Sequence, residues 1–390
     1  MREDFLLLNP GPVPVTREVR EAMSEPMVSH RSAEFSAVYE RTQTQLDYIF
    51  TQSTLDESPT TEGGTSLILN GTATMGMEAA VSNLVDPDSE VVAVVNGKFG
   101  RRFKRIAERY ASVTAVEFDW GDAVDVDAVA DAVSEDTDVV TMVHNETSTG
   151  LLNPVPDVGE IARAHDARFV VDGVTSLGGD VFEIDDWNVD LAVTDAQKAL
   201  AAPPGLSAVF VSAEAEQYID GDRGPFYHDL DWHLRKAVAH QTPFTSAVPL
   251  FRGLAVAVEQ IREEGMGARI ERHREQARAF REGYNAMGLE SFPSLDEVSE
   301  YSNTVTAISL PESIQGDDSA AFFDEVSDRG VSISGGQAHL GGEIFRVSNM
   351  GNLTSEHVIR GIRTVGESLE AVGVDVDTEA GIESARDVLR

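Results

Sequence analysis

The chain has 390 residues, 42% of them hydrophobic, and carries 67 acidic against 30 basic residues, a formal net charge of −37. That length predicts two cores rather than one, in a globular composition that is neither fibrous nor disordered. A field of this sign argues against nucleic acid and anionic lipid as partners, and the absence of cysteine excludes disulfides, thiol catalysis and thiolate metal sites.

The N-terminal MREDFLLLNPGPVPV contains acidic residues and only a short apolar run, so it fits neither a signal nor a transit peptide. No segment approaches the ~20 apolar residues that span a bilayer, and a cytoplasmic protein is expected. The stretch TQSTLDESPTTEGGTS (51–66) reads as an exposed loop without chemistry. From there, strand patterns at 66–71, 90–97, 112–119, 138–145, 168–173, 190–195 and 206–212 alternate with helical ones at 74–84, 100–110, 125–133 and 155–166. Several strands are continuous and β-branched, as expected when helices cover both faces of a sheet. The alternation predicts an α/β, mostly parallel, doubly wound sheet. Helices at 248–264 and 267–287, a strand at 303–310, a helix near 318–329, strands near 331–334 and 343–349, and a last helix at 355–371 with Thr354 as N-cap predict a smaller α+β unit. The expected division is an N-terminal segment 1–15 at the active site, a large domain 16–250 and a small domain 251–390.

Ligands of doubly wound sheets sit beyond the carboxyl ends of the strands. Those ends collect Asn70-Gly71-Thr72-Ala73-Thr74, Asn96-Gly97-Lys98-Phe99-Gly100, His144-Asn145-Glu146-Thr147, Asp172-Gly173 and Asp195-Ala196-Gln197-Lys198. Lys198 is one of only four lysines, set among small residues. A Gly/Thr turn opening a helix, an aromatic, a carboxylate and a lysine on one edge suit pyridoxal phosphate. That cofactor needs an amine for a Schiff base, an acid for its ring nitrogen and a phosphate cradle. No GxGxxG follows the first strand and the nine histidines show no HExxH spacing, so neither a dinucleotide site nor a metal site is expected. The cluster Lys98, Arg101, Arg102, Lys104 and Arg105 reads as a solvated helix face.

NPGP (9–12), GTATMGMEAA (71–80), NGKFGRR (96–102), HNETSTG (144–150), VDGVTSLGG (171–179), QKALAAPPG (197–205) and FRVSNMG (345–351) resemble, in order, the class V aminotransferases, most closely the serine–pyruvate/alanine–glyoxylate group. The resemblance implies the aspartate aminotransferase-like fold (fold type I) and pyridoxal 5'-phosphate as cofactor. It makes Lys198 the Schiff-base lysine and Asp172 the partner of the pyridinium nitrogen. Phe99 takes the place of the aromatic stacked on the ring. Thr72, Ala73, Thr74 and Gln197 match phosphate contacts, and Thr147 a bond near the ring hydroxyl. Arg346 matches the arginine that grips the substrate carboxylate, with Gly11 passing over the substrate. The family is dimeric, and Thr245 is the candidate phosphate contact given to the neighbouring subunit.

The implied reaction moves an amino group from alanine or serine to glyoxylate or pyruvate. Transamination of 2-aminoethylphosphonate with pyruvate, an amino-acid lyase on the same scaffold, and a non-catalytic small-molecule binder are the other readings. With four lysines among so many carboxylates, the surface suits concentrated salt. Lowering the salt should therefore lower the melting temperature through self-repulsion; unchanged melting would contradict this.

Overall fold

The computed structural model describes residues 5–221, 223–295 and 300–390. In chain order, β1 (Leu6–Leu7) precedes α1 (Arg17–Met23), α2 (Ala33–Thr51), β2 (Gly64–Asn70), α3 (Ala73–Ser82), β3 (Glu90–Val95), α4 (Lys98–Ala107) and β4 (Ser112–Glu117). Next come α5 (Val126–Ala132), β5 (Val139–Val143), the short β6 (Asn145–Glu146) and β7 (Leu151–Leu152), α6 (Val155–Ala164), β8 (Arg168–Asp172), β9 (Leu191–Asp195) and β10 (Leu206–Ser212). The remainder is α7 (Leu230–Ala237), α8 (Val248–Glu264), α9 (Met266–Ala286), β11 (Ser291–Phe292), β12 (Glu300–Tyr301), β13 (Val305–Ser309), α10 (Ser319–Asp328), β14 (Val331–Ser332), β15 (Ser334–Gly335), β16 (Ile344–Ser348), α11 (Ser355–Ala371) and α12 (Thr378–Val388).

The large sheet has the order β2-β10-β9-β8-β5-β3-β4, and only β10 runs against its neighbours. Every residue of β5, β9 and β10 is buried, which is why these strands read as unbroken apolar runs. The α/β, mostly parallel architecture inferred from the sequence is the one observed. A second, antiparallel sheet, β11-β13-β16-β15, has its own core, in which Phe280, Tyr284, Phe322, Phe345, Ile362 and Leu369 pack together. The helix α9 joins the two cores: Met266 and Ile270 belong to the first, Phe280 and Tyr284 to the second. Leu6 and Leu8 also pack in the second core, with β1 pairing in parallel to β14. The N-terminal segment is thereby tied to the smaller unit just before it crosses the site.

Three features depart from the sequence reading. The 51–66 stretch is not a free loop: Ser53 is fully buried and bridges to Phe182, the Tyr48 hydroxyl donates to Glu57 at 3.0 Å, and 64–66 already belong to β2. Its polar side chains are used locally, closing the start of α9 against α2. The strand near 331–334 is two pieces, β14 on β1 and β15 on β16, because the chain changes partner between them. The sequence reading also passed over α1, α2, α7 and α12. The helix α2 buries Phe35, Tyr39, Leu46, Ile49 and Phe50, with Phe35 and Tyr39 against Phe251 of α8 at 5.2 and 5.9 Å. At ~1.5–3 kcal/mol per large apolar side chain, that face alone anchors the helix.

Candidate active site

The carboxyl ends of β2, β3, β5, β8 and β9 face one edge, and the chain leaving each end carries the polar residues. Lys198 lies three residues beyond β9 and is 6% exposed. Its backbone is held by a tight turn in which Ala201 N–H donates to the Lys198 carbonyl at 2.9 Å, with Ala201 itself in the left-handed region (φ 55°). Its Nζ donates to the Pro10 carbonyl. Gly11 crosses directly above: it has φ 112°, and a Cβ there would stand 2.5 Å from Gln197 Oε1 and 3.0 Å from the Lys198 side chain. Only glycine serves at this position.

Asp172 ends β8 and is buried; one carboxyl oxygen accepts Val174 N–H at 2.8 Å. The other has no donor among the described residues. Burial pushes the Asp172 carboxyl up to about 7, against the opposing pull of Val174 N–H and Lys198. Burial likewise brings the Lys198 amine down to about 8, opposed by Asp195 and Asp172 and reinforced by Arg346. Burial thus moves an amine and a carboxyl toward neutrality from opposite sides, as is common where side chains carry chemistry.

Arg346 of β16 is buried and near enough to Lys198 to act on its amine. Its guanidinium donates to the Gly335 carbonyl at 2.8 and 3.2 Å and to the Thr147 carbonyl at 2.7 Å, so the fork is fixed by both units of the fold. Burial lowers its pKa to about 10, which leaves it charged. The Thr147 hydroxyl lies 2.5 Å from that of Thr175. Phe99 is half-buried in the first turn of α4, and the Arg102 guanidinium lies 4.6 Å from its ring centre.

Thr72 is the N-cap of α3, and its side chain makes no capping bond. Ala73 N–H donates to Asp195 at 2.9 Å, which pins the turn to the end of β9. Thr74 N–H has no acceptor among the described residues, and its hydroxyl accepts from Arg102 at 2.8 Å. A helix N-terminus with a guanidinium beside it suits an anion. The structure therefore gathers Gly11, Thr72, Ala73, Thr74, Phe99, Thr147, Asp172, Gln197, Lys198 and Arg346 around one edge. Thr245 is exposed in the loop before α8, where it has no hydrogen bond among the described residues.

Two residues at this edge had no assigned role in the sequence reading. Arg102 is turned inward onto Thr74 and Phe99, which corrects its place on a solvated face. Glu146 is fully buried: its carboxyl accepts Phe99 N–H at 3.0 Å, Gly100 N–H at 3.3 Å, and both Ser148 N–H at 3.0 Å and Ser148 Oγ–H at 2.5 Å. It holds the N-terminus of α4, and therefore Phe99, in place. The absence of a Cβ at Gly97 makes room for it, since one would fall 2.2 Å from Glu146 Cγ. Asn-Glu-Thr at the end of a buried strand was the available signal, but nothing in the spacing shows where the glutamate points.

The open sheet and its site define an α/β enzyme with a buried amine at the switch edge. The description of the class-V aminotransferases matches residues 8–358, and the chain belongs to that pyridoxal-phosphate-dependent family. It is 37% identical to an uncharacterised aminotransferase of Methanocaldococcus jannaschii, over 98% of this chain and 97% of the relative. It is 30% identical to the L-aspartate–glyoxylate aminotransferase of Paracoccus denitrificans, over 98% and 95%. The ureidoglycine–glyoxylate aminotransferase structure from Bacillus subtilis superposes with a TM-score of 0.88 at 28% identity, covering 98% and 97% of the two chains.

Glu146→Ala leaves four donors unserved and should lower the unfolding free energy by about 2 kcal/mol or more, while Glu146→Gln, with one oxygen left to accept, should lose less. Denaturant titration checks this; equal stability of all three proteins would contradict the anchoring role.

Proposed function

We propose that this aminotransferase moves an amino group from alanine or serine to glyoxylate or pyruvate, with pyridoxal 5'-phosphate held by the residues gathered at the sheet edge. The observation that carries the reading is the convergence, at one sheet edge, of a buried amine, a buried carboxyl with an oxygen free of donors among the described residues, and a buried guanidinium fork. When bound, the cofactor supplies an aldehyde carbon for the amine and a ring that withdraws electrons from the substrate. Lys198 would hold the cofactor and would carry the proton removed from the substrate Cα. Its lowered pKa keeps a share of the amine neutral for both tasks. Asp172 holds a proton on the ring nitrogen, and a positive ring beside it favours the carboxylate form. Thr72, Thr74 and Gln197 would hold the phosphate at the turn that the Ala73–Asp195 bond fixes, with Ala73 part of that turn. Phe99 would supply the aromatic face for the ring, and Thr147 a hydroxyl for a polar group on it.

Arg346 receives the substrate carboxylate through its planar fork, and Gly11 leaves room for the substrate beneath the N-terminal segment. A homodimer is part of the same reading. Phe226, 73% exposed, packs edge-on against Trp232 at 5.4 Å and tilted against Phe244 at 5.7 Å, and Phe244 precedes Thr245. An aromatic cluster this open supports cover by a second copy, which would bring Thr245 to the partner's phosphate. No helix of the described residues is long and apolar enough to cross a membrane; a cytoplasmic location belongs to the same proposal.

Screening amino donors against glyoxylate, pyruvate and 2-oxoglutarate should show turnover that Lys198→Ala abolishes; turnover by that variant would contradict the assignment. Arg346→Ala should mainly raise the Michaelis constants of carboxylate substrates, as expected for losing a contact worth about 1.5–3 kcal/mol. Unchanged Michaelis constants would place the carboxylate elsewhere.

A further inference from the structure

The residues Lys98, Arg101, Arg102, Arg105 and Arg109 are spaced so that they share one face of α4 and the turn that follows it. They line a groove of about 420 Å³ together with Trp120, and no carboxylate among the described residues lines it. The Arg101 guanidinium lies over the Trp120 ring at 5.1 Å, and Trp120 in turn packs on His339, at 4.9 Å between centroids, in the turn that follows Gly335. At the inner end, Arg102 bonds Thr74 and covers Phe99, and Gly335 holds Arg346. The groove thus runs from solvent to the rim of the site.

Its charges have no carboxylate partner among the described residues. Along 98–109 only Lys104, which does not line the groove, has a carboxylate partner among the described residues, Glu117 at 2.5 Å. Several arginines elsewhere are neutralised, among them Arg168 by Asp190 and Glu214, Arg252 by Glu25 and Glu34, and Arg269 by Glu264. With 67 acidic residues against 30 basic, carboxylates outnumber cations more than two to one, so five cations facing a shared space with no carboxylate among the described residues stand out in so acidic a chain. A protein at −37 repels every anion that approaches it, and 2-oxo acids are anions.

We propose that this groove is an electrostatic collecting site that binds carboxylate substrates weakly and leads them to Arg346, favouring acceptors with more negative charge. The proposal rests on the aminotransferase reading. It concerns how fast an anion arrives, not the chemistry that follows. A zwitterionic donor such as alanine, with no net charge, gains little from the groove, a mono-anionic acceptor such as glyoxylate gains some, and a dianionic acceptor such as 2-oxoglutarate gains most.

The test is steady-state kinetics of the holoenzyme and its Arg101→Gln/Arg105→Gln/Arg109→Gln variant, at about 0.1 M and about 1 M salt, where the screening length falls from roughly 10 to 3 Å. At the lower salt the variant should lose roughly tenfold in kcat/KM for 2-oxoglutarate, a few-fold for glyoxylate and almost nothing for alanine, with kcat unchanged. At the higher salt the difference should vanish. A loss equal for all three substrates, or one indifferent to salt, overturns the proposal. So does a variant that differs from the wild type in molecular mass in solution, which would make the groove an interface between copies. If the wild type turns over no amino acid and oxo acid pair at all, the functional reading fails, not the groove; wild-type turnover with an unaffected variant sinks the groove alone.

Discussion

Keeping a primary amine inside a protein is the constraint from which the rest of the site follows. Lys198 is removed from water, and desolvation acts on the charged form of its amine more strongly than the nearby carboxyls can offset. Such a group persists only if the backbone around it is over-determined. Here β9 ends in Asp195, which pins the α3 turn, and the segment after Lys198 is closed by its own tight turn. From outside that turn, the fully buried Arg269 donates to the Ala199 carbonyl and the Gly178 carbonyl, both at 2.6 Å, while paired with Glu264. The N-terminal segment then covers the amine, with Val13 N–H donating to the Gln197 carbonyl at 3.1 Å. Rigidity of this kind positions the reacting groups before substrate arrives.

The site is also where the two hydrophobic cores meet. The large sheet supplies Asp172 and Lys198, whereas the small unit supplies Arg346, which reaches back to the carbonyl of Thr147. On the proposed reading, substrate held by that guanidinium would be positioned by one unit against the amine and carboxyl of the other. Glu146 contributes from below by fixing the first turn of α4, so that Phe99 and the cationic face beginning at Lys98 take their orientation from a single buried carboxyl. Two opposite electrostatic regimes coexist in the chain: an acidic exterior, and a short basic lane ending at the pocket.

Much of this arrangement was legible in the sequence because parallel sheets write themselves as β-branched runs, and their carboxyl ends are where chemistry collects. Lys198 and Asp172 were readable for that reason, since each directly follows or ends such a run. The helices α1 and α2 were not read, although Phe35, Tyr39, Leu46 and Ile49 follow helical spacing, because the first clear strand lies beyond them. Glu146 and Arg102 could not be read at all: the direction of a side chain at a strand end or on a charged helix is settled by packing. The 51–66 stretch misled for a related reason, since small polar residues look alike whether they face water or close a loop on itself as Ser53 and Glu57 do. Pairing of β1 with β14 joins residues more than 300 apart and leaves no local trace.

The most direct test of the buried amine is uptake of pyridoxal phosphate by protein stripped of it, followed across pH by visible absorbance, then reduced with borohydride and mapped by peptide. Only the neutral amine attacks an aldehyde, so uptake should rise with pH about a midpoint near the lowered value of about 8, with the label on Lys198. A midpoint near the ordinary lysine value of about 10.4, or a label on Lys98, Lys104 or Lys236, would contradict the account.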